Sequence, residues 1–219
     1  MPATVVVVRD RVDAVELDDY LAELTRRMQA ILGEELLAVY AGGSYALGAY
    51  EHGRSDVDVT AVVANPLDDA TKQQLVDALR HEALPCPAIG LELVIYPRAT
   101  TQVATLDPGF ELNLNTGAQL DFRADLAPGD IESFWFAIDR SILHEHGIPL
   151  HGPPPAELLA PIPRAMLAPV LEESIRWHRG DDTANARLNI IRSRHFLATG
   201  HWISKPKARR QLDEVESAP

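Results

Sequence analysis

Two glycines and a serine, followed twelve positions later by two aspartates one residue apart, constrain this chain more than any other feature of it. Gly42-Gly43-Ser44 closes a short apolar run at 36–40, and Asp56-Val57-Asp58 opens a β-branched run at 57–64. Runs of this kind bounded by glycine read as strands, so the glycines stand where the backbone turns sharply and can come close to a ligand. Ser44 is expected to open a helix, whose free N–H groups and hydroxyl can hold phosphate oxygens. Asp56 and Asp58, two apart on a strand, send both carboxylates from one face, where they can share a divalent cation. An anion seat and a cation seat are set side by side.

A third acid lies further along. Residues 89–96 alternate Ile89, Leu91, Leu93 and Ile95 with Glu92 and Val94, and residues 110–114 alternate similarly around Glu111 and Asn113, so two more strands follow. Glu92 stands in an otherwise apolar strand, where an unpaired carboxylate would cost several kcal/mol of desolvation. If its strand lies beside that of Asp56 and Asp58, three acids converge near the phosphate seat. Metal-assisted phosphoryl or nucleotidyl transfer requires such a set, with one carboxylate taking the acceptor's proton.

The remaining sequence has to supply a core and a counter-charge. At 219 residues, 46% of them hydrophobic, the chain can bury a core without disulfides, and Cys86, between Pro85 and Pro87, reads as a small buried side chain. A net charge of −12 argues against a surface that wraps nucleic acid and favours a cationic partner. No cationic leader precedes the valines at 5–8, and no apolar stretch approaches the roughly 18 residues that span a bilayer, so a cytoplasmic protein off the membrane is expected. Helices are expected at 13–33, at 71–81 behind Asp68 or Asp69, and at 131–144. The prolines and glycines of 147–155 mark a boundary between residues 1–150, an α/β (α+β) domain with a mixed sheet, and residues 151–219, a small all-α domain. That second part is expected to hold helices at 163–179, kinked or started by Pro169, and at 183–199, capped by Asp181 or Asp182 and ended by Gly200, with a polar tail at 205–210. Between 176 and 210 stand nine basic residues and two acidic ones, so basic and acidic parts of the chain can form two walls of a cleft.

Gly43-Ser44, Asp56-Val57-Asp58 and Glu92 together resemble the nucleotidyltransferase superfamily that includes DNA polymerase β. Leu91-Glu92-Leu93-Val94-Ile95, Glu111-Leu112-Asn113-Leu114 and the segment 185–205 with Ala198-Thr199-Gly200 look like the aminoglycoside adenylyltransferases acting on streptomycin and spectinomycin, over about residues 35–205. That resemblance implies ATP as co-substrate and Mg²⁺ as cofactor. It implies that Gly43, Ser44 and Ser55 hold ATP phosphates, that Asp56, Asp58 and Glu92 are the catalytic set and the Mg²⁺ site, with Asp56 and Asp58 as ligands and Glu92 also the general base, and that Arg192 and Lys205 reach the triphosphate. Asp182 would hold a cationic antibiotic; Trp177 is a candidate substrate contact, although it and Trp202 are more often core aromatics than substrate platforms. The implied activity moves AMP onto a hydroxyl of an aminoglycoside or aminocyclitol and releases pyrophosphate, in a monomer or weak homodimer.

The chain departs from the family at Thr116-Gly117-Ala118-Gln119, where an aromatic acceptor platform is expected, and between Trp177 and Asp182, which is short. Two other readings therefore stand beside the first: a nucleotidyltransferase with a protein, RNA end or metabolite as acceptor, and a non-catalytic, antitoxin-like nucleotide-binding partner. His144, His146 and His151 with Glu145 lack the spacing that puts two imidazoles on one helical face and read as surface or capping groups.

Overall fold

The computed structural model describes residues 3–129 and 133–216. Strands β1 (Leu36–Ala41), β2 (Val57–Val63), β3 (Leu91–Pro97), β4 (Leu112–Thr116), β5 (Arg123–Asp125) and β6 (Ile148–His151) form one six-stranded sheet in the order β5-β4-β3-β2-β1-β6. β2 and β3 run parallel and every other neighbouring pair is antiparallel, so the sheet is mixed, as expected. The parallel pair needs a crossover, which α3 (Asp69–Leu79) supplies; Asp68 caps it by accepting from Thr71 N at 2.7 Å.

Strand alternation divides the sheet into two different surfaces. Val57, Val59 and Ala61, Leu91, Leu93 and Ile95, and Leu112 and Leu114 share an aliphatic core with Leu17, Leu21, Leu24 and Met28 of α1 (Ala3–Leu32) and Leu75 and Leu79 of α3. The intervening residues, among them Asp58, Glu92, Val94, Asn113 and Asn115, leave the other face. Helix α5 (Phe134–His146) covers that face incompletely. Its Leu143 meets Ala38, Tyr40 and Val62 on one side, and its Phe136 meets Tyr96 and Phe110 on the other. Helices α7 (Arg164–His178), α8 (Ala184–Thr199) and α9 (Lys205–Glu216) follow, and Leu167, Leu171, Phe196 and Trp202 join Phe134, Ala137 and Ile142 of α5 in a second apolar cluster. Single turns complete the order: α2 (Gly43–Ala46), α4 (Arg98–Thr101) and α6 (Pro155–Leu158).

Several elements differ from the sequence reading. α1 begins at Ala3 rather than near residue 13, and no glycine or proline interrupts 3–32 to stop it. β5 and β6 were not expected, being three and four residues long; Pro149 in β6 is tolerated because that strand lies at the sheet edge. The segment 147–155, expected as a break, thus carries a strand of the sheet. The expected start of α5 at 131 lies outside the described residues. Pro169 stays inside α7 without ending it. Thr183, not Asp181 or Asp182, caps α8, accepting from Ala186 N at 3.2 Å while Asp181 accepts from Thr183 N at 2.8 Å. Gly200, at φ +80°, ends α8 as expected, and the polar stretch after Ser204 is the helix α9 rather than a tail. Among the described residues no helix is long and apolar enough to cross a membrane.

Candidate active site

The turn after β1 is locked onto β2, because Gly42 N donates to Asp58 O at 2.8 Å. Gly43 then takes φ +50°, and a Cβ at that position would overlap the Asp58 carboxylate. Only glycine lets the turn approach the acid this closely. The helix expected after it is the single turn α2, which carries Ser44. The Ser44 hydroxyl is buried and has no hydrogen-bond partner among the described residues, so it is free for a ligand oxygen.

The register across the sheet assembles the acids. Asp58 pairs with Glu92, Glu92 with Asn115, and Asn115 with Arg123, so one row of side chains crosses four strands on one face. Asp56 stands immediately before β2. These residues line a cleft of about 720 Å³ together with Gly43 and Ser44. The facing wall comes from α5 with Trp135 and Asp139, from α8 with Asn185, Asn189 and Arg192, and from Lys205 at the start of α9.

Repulsion among the acids shapes their protonation. Burial first, then the charges of Asp56, Glu92 and Asp139, raise the Asp58 carboxyl well above the usual carboxylate range, with Lys205 opposing. Burial, Asp56 and Asp139 push Glu92 up to about 7, again against Lys205. Asp139 is exposed to the cleft, yet the surrounding walls remove enough bulk solvent to push it up to about 6, with Arg192 and Lys205 opposing and Asp56 adding to the rise. Four carboxylates and two cations therefore share one field.

The donor set fits magnesium. Among the described residues no three His, Cys, Asp or Glu side chains gather as a metal-binding group, so Asp56, Asp58 and Glu92 line a common cleft without closing a cage of their own. Magnesium is ordinarily held by one or two carboxylates together with substrate phosphates. Asp56 and Asp58 beside the free Ser44 hydroxyl offer that chemistry.

Arg192 is fixed before any ligand arrives. Its Nε donates to Ile203 O at 2.8 Å, its Nη1 to Asn189 Oδ1 at 3.4 Å, and its guanidinium lies 5.9 Å from the centre of the Trp202 ring. Burial lowers its pKa, against the acids Asp139 and Asp58. Trp202 is a core residue, as its type suggested, and its indole N–H donates to Ser141 Oγ at 3.0 Å.

Three expected site residues stand apart from the cleft lining. The Ser55 hydroxyl accepts from Glu51 N at 3.0 Å in the loop before β2. Asp182 is exposed ahead of α8. Trp177 is 46% exposed and its ring stands edge-on to that of Trp135. The histidines serve local structure, with His144 Nδ1 2.8 Å from Leu159 O and His151 Nδ1 3.0 Å from the Gln29 amide nitrogen.

Trp135, Asp139, Asn113, Asn115, Arg123, Asn185 and Asn189 also line the cleft, outside the motif residues named from the sequence. Two signals were available. Asp139 is an acid inside the apolar stretch Phe134 to Ile142, the same anomaly that marked Glu92. Asn185, Asn189 and Arg192 recur at helical spacing on α8.

No family model matches the chain. Aminoglycoside (3'')(9) adenylyltransferases of Shigella flexneri and Escherichia coli are 28% identical to it over 186 residues, covering 80% of this chain and 69% and 68% of theirs. The chain resembles the aminoglycoside adenylyltransferases. The adenylyltransferase of the same description from Rhizobium radiobacter is 26% identical over 195 residues, 81% of this chain and 67% of its own. On that likeness the chain is an enzyme, an adenylyltransferase. Its fold is that of the spectinomycin adenyltransferase AAD(9) of Enterococcus faecialis, solved with ATP and spectinomycin, at a TM-score of 0.66 and 19% identity over 92% of this chain and 83% of that one.

Proposed function

We propose that the protein transfers AMP from ATP, with Mg²⁺, to a hydroxyl of an aminoglycoside or aminocyclitol and releases pyrophosphate. One observation carries the reading: Asp58 and Glu92 are direct partners on the open face of the sheet, beside a glycine-serine turn and across from Arg192 and Lys205. Gly43 and Ser44 receive phosphate oxygens on the sheet side, and Arg192 and Lys205 meet them from residues 151–219. Asp56 and Asp58 hold the magnesium ion, which when bound neutralises the triphosphate and eases departure of pyrophosphate.

Glu92 takes the proton of the acceptor hydroxyl. The hydroxyl oxygen then bonds to the α-phosphorus as the bond from that phosphorus to the oxygen joining it to the β-phosphorus breaks, and that oxygen departs with pyrophosphate. In the ligand-free protein, burial, Asp56 and Asp139 push the Glu92 carboxyl up to about 7, which makes it a better proton acceptor than an ordinary glutamate. The net charge of −12 concentrates a polycationic acceptor around the cleft. All the groups come from one chain, so a monomer suffices, and the need for ATP places the reaction in the cytoplasm. Such a reaction would confer resistance to the modified antibiotic.

Incubation with α-labelled ATP, Mg²⁺ and spectinomycin or streptomycin tests this. The expected result is an acceptor carrying one adenylyl group, heavier by AMP less water, with pyrophosphate released in equal amount. Failure to label either antibiotic contradicts the proposed acceptor class.

A further inference from the structure

We propose that Trp135 and Asp139 of α5 form a subsite for a protonated amine of the acceptor, set across the cleft from the Asp58–Glu92 row. The inference rests on the adenylyl-transfer reading, which places an acceptor beside Glu92. The two residues are four apart on a helix, so their side chains leave the same face one turn apart, and both line the cleft. The Trp135 indole is held in place: its centroid is 3.8 Å from that of Phe134 and 4.9 Å from that of Trp177, whose ring stands at 90° to it. An aromatic surface fixed in this way attracts a cation without first losing side-chain freedom.

Asp139 supplies the charge. It makes no hydrogen bond or salt bridge with a described residue, although Arg192 and Lys205 act on it through space and Asp56 repels it. Phosphate would be repelled by this carboxylate, and a neutral ring stacked on Trp135 would leave it unpaired. A protonated amine satisfies both groups at once, through cation–π contact and an ion pair. The cleft is thereby sorted into a phosphate side, between Ser44 and Lys205, and an amine side on α5. The acceptor's amine would be anchored at Asp139 and its reacting hydroxyl presented to Glu92.

The test uses the full chain with Mg²⁺, ATP, and spectinomycin and streptomycin as probes. Asp139→Asn, close to isosteric, is expected to raise the acceptor KM about tenfold or more while the ATP KM stays within about twofold. Trp135→Phe should stay near wild type, and Trp135→Leu should raise the acceptor KM roughly fivefold. An unchanged acceptor KM in Asp139→Asn, or a rise confined to ATP, overturns the subsite. Should Trp135→Leu fail to fold, the Asp139→Asn result decides. Calorimetry with each antibiotic separates the two levels: binding that Asp139→Asn weakens, without transfer, supports the subsite and overturns the proposed reaction, whereas no binding by the wild type overturns both.

Discussion

The two faces of β2 and β3 are built from alternate residues of the same seven-residue strands, yet they do opposite things. Val57, Val59 and Ala61 with Leu91, Leu93 and Ile95 are fully or almost fully buried against α1 and α3, and removal of their surface from water stabilises the fold. Asp58 and Glu92, one residue away from these in each strand, face a cleft where burial and mutual repulsion hold their carboxyls above the ordinary range. Stability and chemistry are thus separated by the pleat rather than by distance along the chain. The acid face is tolerated because the aliphatic face over-determines where the strands lie, which is how a strained functional site persists in a stable domain.

Substitutions on one face should leave the signature of the other unchanged. The largest expected effect is on the acid face: Asp58→Asn should cut kcat/KM at least about 10³-fold with the fold intact by circular dichroism. Leu93→Ala on the opposite face should cost about 2–5 kcal/mol in urea unfolding while the folded fraction keeps its kcat. Gly43→Ala joins the two regions, since its Cβ displaces Asp58 and its φ is unfavourable, and should lose about tenfold or more in activity and about 1–2 kcal/mol in stability. Arg192→Lys, losing a planar fork anchored on Ile203 O and Asn189, should raise the ATP KM roughly tenfold.

The smallest effect concerns pH and has a definite sign. Glu92 has an ordinary value of 4.5 and is pushed up to about 7, so between those values the folded protein binds more protons than the unfolded chain, and stability falls as pH rises. Glu92→Gln should therefore stabilise the ligand-free protein at pH 8 in urea unfolding, and the gain should vanish below pH about 4. An equal gain at every pH would contradict the assigned shift.

Which parts of this were legible in the sequence follows from the period of each element. The spacing of Asp56 and Asp58 and the period-two alternation around Glu92 mark one face of each strand, whereas the meeting of the three acids depends on β2 and β3 being neighbours, which only the sheet order reveals. β5 and β6 are too short to show any period and are held by their partners in the sheet. α5 hides its function more thoroughly. Apolar groups on its sides meet Leu143's strand neighbours, Tyr96 and α7, and the polar signal reduces to Asp139 beside an aromatic. Ser55 and Asp182 show the opposite case, in which a motif position is recognisable while its side chain serves a loop or faces solvent.

The most direct test is a crystal structure with Mg²⁺ and a non-hydrolysable ATP analogue. The triphosphate should lie between the Gly43–Ser44 turn and Arg192 and Lys205, with the cation on Asp56 and Asp58 and Glu92 facing the α-phosphate. A nucleotide bound elsewhere, or in this cleft with no cation at Asp56 and Asp58, would contradict the division of the sheet into a supporting face and a reacting one.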